Sequence, residues 1–321
     1  MSIWIITTGS SDVQLNTDKN WGILHQKIRN QLETQKGFSQ TKSKDGQRSL
    51  YPARAMGVVY GNAIEQHYDD LAFPLLDNFW GLLTERSITP QRIIVIVTDQ
   101  TQFFKDKGSE KNKIFSPYWQ DTCTLQPLLR HYLAKKSDVD PEFLTLELKS
   151  SGLDNWNDVL EIVQQQLKTL GDIPQDETVY VSHQAGTPAI SSAVQFASLA
   201  KFGDRVKFLV SSEQDKAHTD ILESSAYLQG IEIQQVNKLL DWHDYAGAKE
   251  VLKRQIKEVD EQKDNPKRTD NQRKRDEKLK YIEDLLDAAI QWNFAEFVKF
   301  KDKLKEYPQF TEAVEDRTKK E

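Results

Sequence analysis

The sequence predicts an α/β fold in which a doubly wound, mostly parallel sheet is followed by a smaller all-helical part. Three observations predict it. Short apolar runs rich in β-branched residues alternate with longer stretches of helical periodicity. Most of the short runs are apolar on both faces, which is typical of strands buried between two layers of helices. Beyond about residue 237, convincing strand patterns stop and charged helical patterns take over.

The predicted strands are too short to be helices and recur along the first two thirds of the chain. They are Ile3–Thr7, Ile93–Thr98, Phe143–Leu148, Thr178–Ser182 and Val206–Val210. Long helical stretches lie between them, which favours a parallel sheet with helical crossovers. The predicted helices are Trp21–Gln35, Leu71–Arg86, Tyr118–Lys136, Asp154–Leu170 and Pro188–Lys201.

The C-terminal part differs in composition and in hydrophobic pattern. Ala226–Val236 predicts a small strand or hairpin, and the later segments are rich in Lys, Glu and Asp at helical spacing. We predict helices over Lys249–Glu261, Arg273–Trp292 and Asn293–Tyr307. The domain boundary is therefore placed at about residue 237, which divides the chain into 1–237 and a helical part, 238–321.

Composition excludes several classes of function. Of the 321 residues 38% are hydrophobic, and no run approaches the ~18 apolar residues that a membrane span requires. The first residues, MSIWIITTGSSD, lack the features of a signal peptide, and the single Cys123 excludes an internal disulfide and any multi-cysteine zinc site. We predict a cytoplasmic protein without a metal site or a cofactor. The net charge of −6 favours a small anionic ligand over long duplex DNA.

Polar clusters follow the predicted strands, where open parallel sheets bind their ligands. Thr8–Gln14 follows the first strand, Asp99–Thr101 the second and His183–Thr187 the fourth. The first and fourth loops each offer a glycine, hydroxyls and amide donors, and the fourth leads into a helix whose N-terminus suits an anion. Neither loop matches a dinucleotide or P-loop motif. Both could equally be ordinary turn and cap residues.

Three motifs carry a resemblance to a known family. TTGSSDVQL at 7–15, YPARAMGVVYG at 51–61 and SHQAGTPAIS at 182–191 are similar to motifs of the CARF domain, the CRISPR-associated Rossmann fold. The resemblance is to the accessory ribonuclease effectors of type III CRISPR systems. It implies a Rossmann-like CARF sensing domain over 1–237 and a homodimer whose Gly-Thr-Pro loops meet across a two-fold axis. The ligand implied is a cyclic oligoadenylate, with the ring of four adenylates favoured.

The resemblance also implies a set of residues around the ring. The residues expected to bind the ligand are Thr7, Thr8, Gly9, Ser10, Ser11, Asp12, Gln14, Arg54, Asp99, Gln100, Thr101, His183, Gln184, Ala185, Gly186, Thr187 and Pro188. Arg54 is expected to reach a phosphate, although an arginine in such a stretch more often pairs with a surface carboxylate. The segment Tyr118–Thr122 is a candidate lid over the adenines, with Trp119 either a stacking platform or a core aromatic residue.

Some members of this family cleave the ring that they bind, without a metal, by attack of a ribose 2′-hydroxyl on the adjacent phosphate. The catalytic candidates here are Ser11 as hydroxyl donor, Gln184 as oxyanion donor and His183 as acid or base, although His183 could equally be a hydrogen-bonded structural residue. The HEPN ribonuclease motif, an Arg followed by His after four to six residues, is absent at all 6 histidines.

Three hypotheses remain open. The chain is a ring nuclease, a non-catalytic sensor that passes its signal to a HEPN or other effector part, or a regulator that recruits a partner through its helical tail.

Overall fold

The computed structural model describes residues 2–28, 41–42, 49–111, 113, 116–212, 219–261, 270–293, 299 and 302. The chain divides into two units, Met1–Ser224 and Ser225–Glu321. The boundary expected near 237 falls inside a helix, Ser224–Asp241, that begins where the first unit ends. Within the described ranges, no helix combines the length and the apolar character needed to cross a membrane.

The first unit contains a six-stranded sheet in the order β10-β9-β8-β1-β6-β7. The strands are β1 (Ser2–Thr7), β2 (Gln14–Leu15), β3 (Thr41–Lys42), β4 (Ser49–Leu50), β5 (Leu71–Ala72), β6 (Arg92–Thr98), β7 (Glu142–Leu146), β8 (Thr178–Ser182), β9 (Val206–Ser211) and β10 (Thr219–Glu223). All pairs in this sheet are parallel except β9 with β10. The predicted fold class and all five predicted strands are confirmed. The antiparallel edge strand β10 was not predicted, because its half-exposed sequence TDILE lacks a buried strand's apolar run.

The helices are α1 (Trp21–Ile28), α2 (Ala53–Gly61), α3 (Ile64–His67), α4 (Pro74–Glu85), α5 (Gly108–Lys111), α6 (Gln126–Ala134), α7 (Trp156–Lys168), α8 (Pro188–Phe202), α9 (Ser224–Asp241), α10 (Tyr245–Glu261) and α11 (Asp270–Asn293). Short 3₁₀ helices span Tyr68–Asp70, Pro117–Gln120, Cys123–Leu125 and Gly203–Arg205.

Two of the predicted helices begin later than expected. Both α4 and α6 carry a proline in their first turn, where its fixed φ and missing N–H are tolerated. Residues 71–72 are strand β5 instead, and 117–120 form a 3₁₀ turn. Residues 29–35 of the helix predicted to begin at Trp21 lie outside the described residues.

The sheet is covered on both faces. Trp4, Ile6 and Val95 pack in a core with α1, α2, α4 and α6. Ile5 and Ile94 point to the other face and pack with α7 and α8. This alternation along each strand is the period-2 pattern of side chains, and it explains why the strands are apolar on both faces.

The second unit contains α10, α11 and most of α9, and Val236, Leu252 and Leu286 lie in its core. The strand or hairpin predicted over Ala226–Val236 is wrong, since these residues lie in α9. The apolar alternation of Ile231 and Ile233 suggested a strand, but both side chains are exposed in the helix. The predicted helix Asn293–Tyr307 lies outside the described residues apart from 293, 299 and 302.

Candidate functional site

The sheet has a switch point between β1 and β8. After β1 the chain moves to β6 on one side, through helices that pack on one face of the sheet. After β8 it moves to β9 on the other side, through α8 on the opposite face. Because the two connections diverge, a crevice opens at the carboxyl ends of these neighbouring strands, where α/β proteins bind ligands.

The loops after β1 and β8 touch each other through two glycines. A Cβ atom built on Gly9 would lie 2.7 Å from the Gly186 amide nitrogen and 3.4 Å from its Cα. Gly186 itself has φ +91°, a conformation that disfavours any other residue. A side chain would clash at Gly9 and be strained at Gly186, and the two strand-end loops are therefore in direct contact within a single protomer.

A cleft of about 510 Å³ opens where the loops meet. Nine of the predicted ligand-binding residues line it: Thr8, Gly9, Ser10, Ser11, Gln100, Gln184, Ala185, Gly186 and Thr187. The other lining residues are Thr98, Pro117, Gln120, Asp121, Leu153 and Ile190. Of these described lining residues only Asp121 is ionisable, so the cleft offers a ligand mainly neutral hydrogen-bonding groups.

The loop after β1 is anchored by buried hydrogen bonds, and two of its serine side chains are exposed. The buried Thr8 hydroxyl donates to the Ile96 carbonyl at 2.8 Å, and its oxygen lies 2.9 Å from the Thr122 hydroxyl oxygen. The Gly9 amide donates to Asp12 Oδ2 at 2.5 Å. Ser10 and Ser11 are exposed, so their side chains are accessible to a ligand.

Asp12 lies behind this loop and does not line the cleft. Its side chain is buried, and its Oδ1 atom has no hydrogen-bond partner. Burial raises the pKa of Asp12 to about 7, although the hydrogen bond from the Gly9 amide opposes the shift. Thr7 and Gln14 are also outside the lining. Their side chains donate to the carbonyls of Ser182 at 3.2 Å and Ser11 at 2.8 Å.

The loop after β8 ends in a capped helix. The Thr187 hydroxyl accepts from the Ile190 amide at 3.3 Å and donates to the Leu153 carbonyl at 2.8 Å. Pro188 follows at the first position of α8 and is exposed. The N-terminus of this 15-residue helix therefore borders the cleft, where its dipole favours a negative charge.

Two catalytic candidates of this loop make structural contacts. His183 does not line the cleft: its Nδ1 lies 3.1 Å from the Ser191 hydroxyl, and its ring packs edge-on against Phe208. Burial lowers the pKa of His183, and its Nε2 atom is buried without a partner. The Gln184 side chain lines the cleft but is already paired with the backbone of Ser211, donating at 3.1 Å and accepting at 2.6 Å.

Arg54 is the centre of a buried network of hydrogen bonds and ion pairs beside the cleft, which we call the hub. Its Nη2 atom donates to Asp99 at 2.8 Å and to Asp121 at 2.7 Å, and its Nε atom donates to the Tyr118 carbonyl at 2.9 Å. The guanidinium also lies 4.0 Å from the centre of the Tyr118 ring. Arg54 therefore pairs with carboxylates, which was the alternative to a phosphate contact. One of these carboxylates, that of Asp121, is buried and does not lie at the surface.

The hub also fixes the segment after β6. Asp121 accepts from the Gln100 backbone at 2.8 Å and from its side-chain amide at 3.0 Å. Burial raises the pKa of Asp121 despite the pairing with Arg54. Burial also acts to raise the pKa of Asp99, but hydrogen bonds from Thr101 and Arg54 outweigh it and the pKa is lowered. Neither Asp99 nor Thr101 lines the cleft.

The sequence predicted residues 118–122 only as a candidate lid. It did not predict that Pro117, Gln120 and Asp121 form a wall of the cleft. Trp119 is 2% exposed and its indole N–H donates to the Lys111 carbonyl, so it is a core aromatic residue and not a platform. The sequence could have indicated a role for Asp121 only through its pairing with Arg54, which lies 67 residues away along the chain. Within the described ranges, no three His, Cys, Asp or Glu side chains are grouped so that they could hold a metal ion.

Comparisons with known proteins found similarity among solved structures alone. No protein-family model matches the sequence, and no curated protein matches it significantly. Among solved structures, the chain is similar to Enterococcus italicus Csm6 bound to cyclic hexa-2′-fluoro-hexa-dAMP, at 14% sequence identity and a TM-score of 0.43. The alignment covers 93% of this chain and 56% of that one, so this chain spans little more than half the length of that structure.

Proposed function

We propose that two copies of this chain bind one cyclic oligoadenylate, with the ring of four adenylates favoured, as part of type III CRISPR antiviral defence. The observation that carries the proposal is the Gly9–Gly186 contact, which joins two neutral loops into one cleft at the switch point of the sheet. The similarity of the motifs at 7–15, 51–61 and 182–191 to CARF motifs supports the choice of ligand.

The chemistry of the cleft suits phosphodiesters. A phosphodiester carries one negative charge, which serine hydroxyls and a helix N-terminus can solvate without a lysine or arginine. Ser10, Ser11 and the start of α8 provide these groups. A ring with two-fold symmetry matches an isologous dimer, in which each protomer contributes the same surface. One cleft of about 510 Å³ would then hold half of the ring.

Metal-independent cleavage of the ring is the second candidate function. Its support is the exposed Ser11 side chain in the cleft, which could donate to a phosphate oxygen. In this reaction the 2′-hydroxyl attacks the adjacent phosphate and the bond to the 5′-oxygen of the next nucleotide breaks, which leaves a 2′,3′-cyclic phosphate and a 5′-hydroxyl. His183 contributes to this chemistry only if its ring leaves Ser191 and Phe208, and Gln184 only if its pair with Ser211 opens. Binding without turnover is the simpler function for the cleft as it stands.

The test incubates the purified chain with labelled rings of three, four and six adenylates and measures affinity, stoichiometry and products. We expect one ring of four per two chains, and Ser11→Ala should weaken binding about tenfold because a hydrogen bond to a charged group is lost. Ser109→Ala, at an exposed serine outside the cleft, is the control and should bind as the wild type does.

Each outcome decides one part of the proposal. Linear products that disappear in Ser11→Ala would establish ring cleavage, whereas intact rings after long incubation would leave a sensor. Failure of every ring to bind the wild-type chain would contradict the proposed function as a whole.

A further inference from the structure

A second cavity adjoins the cleft. It has a volume of about 500 Å³ and shares with the cleft a wall made of Gln100, Pro117, Leu153 and Thr187. Beyond that wall it is lined by Phe103, Phe104, Ser116 and Asp154, among others, and we name it the aromatic cavity. The aromatic cavity and the cleft are therefore immediate neighbours, within the reach of one ligand.

Ser116 is a polar group without a partner in this cavity. Its side chain is 3% exposed, and its hydroxyl makes no hydrogen bond. A buried hydroxyl left unpaired is costly, and most such groups in proteins are satisfied. Since Ser116 lines the cavity, a ligand atom placed there would supply the missing partner.

Two phenyl rings lie in the rest of the wall, together with Gly152 and the ionisable residues Glu110, Lys113 and Asp154. The rings of Phe103 and Phe104 lie edge to face with centroids 5.0 Å apart, and the Lys107 ammonium lies 3.4 Å from the centre of the Phe103 ring. Aromatic side chains of this kind stack with nucleobases. The exposed Asp154 carboxylate adds an acceptor at the same cavity.

The shared wall is held in place by hydrogen bonds. The Gln100 side chain accepts from the Leu153 amide at 3.1 Å and donates to Asp121 at 3.0 Å. These hydrogen bonds anchor the Gln100 part of the shared wall.

We infer that the aromatic cavity receives an adenine base of the ring whose phosphates occupy the cleft. The inference rests on the proposed function and adds the residues that select the base. The Ser116 hydroxyl bonds a ring nitrogen, Asp154 accepts from the exocyclic amino group, and Phe103 provides an apolar surface. Hypoxanthine has a carbonyl in place of that amino group, and Asp154 disfavours it.

The first test is Ser116→Ala, measured by calorimetry with cyclic tetra-adenylate. The hydroxyl makes no hydrogen bond in the protein, so the variant should unfold at the same or a higher temperature than the wild type. It should nevertheless bind the ring about fivefold to tenfold more weakly. A purely structural role for Ser116 could not produce this combination. Ser109→Ala is the matched control and should leave both quantities unchanged.

The second test is base selection. The wild-type chain should bind cyclic tetra-inosinate at least about tenfold more weakly than cyclic tetra-adenylate, and Asp154→Asn should remove most of this difference. Asp106→Asn, at an exposed aspartate outside the cavity, should preserve it.

The two proposals fail in different ways. If the wild-type chain binds the adenylate ring but Ser116→Ala and Asp154→Asn behave as the wild type does, the inference is overturned and the proposed function stands. If no ring binds the wild-type chain, both are overturned.

Discussion

The two walls of the cleft are built by different means. The glycine wall consists of the loops after β1 and β8, which meet at Gly9 and Gly186 through backbone atoms. The ionic wall consists of Arg54, Asp121 and Gln100, which meet through buried side chains drawn from three separate segments. The glycine wall presents neutral groups to the cleft, whereas the ionic wall brings the buried Asp121 carboxylate to the cleft and keeps the paired Arg54 outside its lining.

This difference teaches where each wall is vulnerable. The glycine wall depends on volume, because an added methyl group has no space between the loops. The ionic wall depends on charge balance, because removing Arg54 leaves the buried Asp121 carboxylate without its cation. Substitutions in the two walls should therefore fail by different mechanisms and with different magnitudes.

The largest effect is expected in the ionic wall. Arg54→Met keeps the length of the side chain but removes the charge that faces Asp121, whose side chain is 1% exposed. Breaking a buried pair by removing one partner costs about 3–5 kcal/mol of the free energy of unfolding. Urea unfolding monitored by tryptophan fluorescence measures this loss.

Two controls test that charge imbalance is the cause. Arg130→Met removes an arginine from an exposed pair with Asp140 and should cost less than about 1 kcal/mol. Adding Asp121→Asn to Arg54→Met should restore part of the lost stability, because no unpaired buried charge remains. If the double variant is no more stable than Arg54→Met, the imbalance is not the cause.

The next effect concerns Asp12, the titrating group behind the glycine wall. Its pKa is raised to about 7 in the folded protein, against 3.8 for an ordinary aspartate, so the folded state binds the proton more tightly. The stabilisation is present below about pH 4 and is lost as the pH rises through about 7. From about pH 5 to about pH 8, the wild-type chain should lose on the order of 2 kcal/mol from this group.

Asp12→Asn checks this pH dependence. The amide is neutral at every pH and can still accept from the Gly9 amide, so the stability advantage of the variant over the wild type should grow by on the order of 2 kcal/mol between about pH 5 and about pH 8. Asp106→Asn, at an exposed aspartate, should leave the pH profile as it is. Parallel profiles for wild type and Asp12→Asn would show that Asp12 does not titrate in this window.

The glycine wall could be predicted from the sequence, and the ionic wall could not. Gly9 and Gly186 follow apolar strands directly, so local signals place both at one edge of a parallel sheet. Asp121 follows no strand, and its role depends on Arg54, which is distant along the chain. The direction of a side chain is also invisible in sequence, as His183 shows: it follows β8, yet its ring packs against Phe208.

The last prediction concerns Gly9 and tests the contact between the loops. In Gly9→Ala the new methyl group would lie 2.7 Å from the Gly186 nitrogen, so the loops must separate. Overpacking of this kind costs about 1–3 kcal/mol. Gly81→Ala, in α4 with nothing within 4 Å of the new atom, should instead gain roughly 0.5–1 kcal/mol from helix propensity. The affinities of the two variants for the ring should also differ, because only Gly9→Ala widens the cleft and should weaken binding. Equal affinities would mean that the loop contact does not shape the binding site.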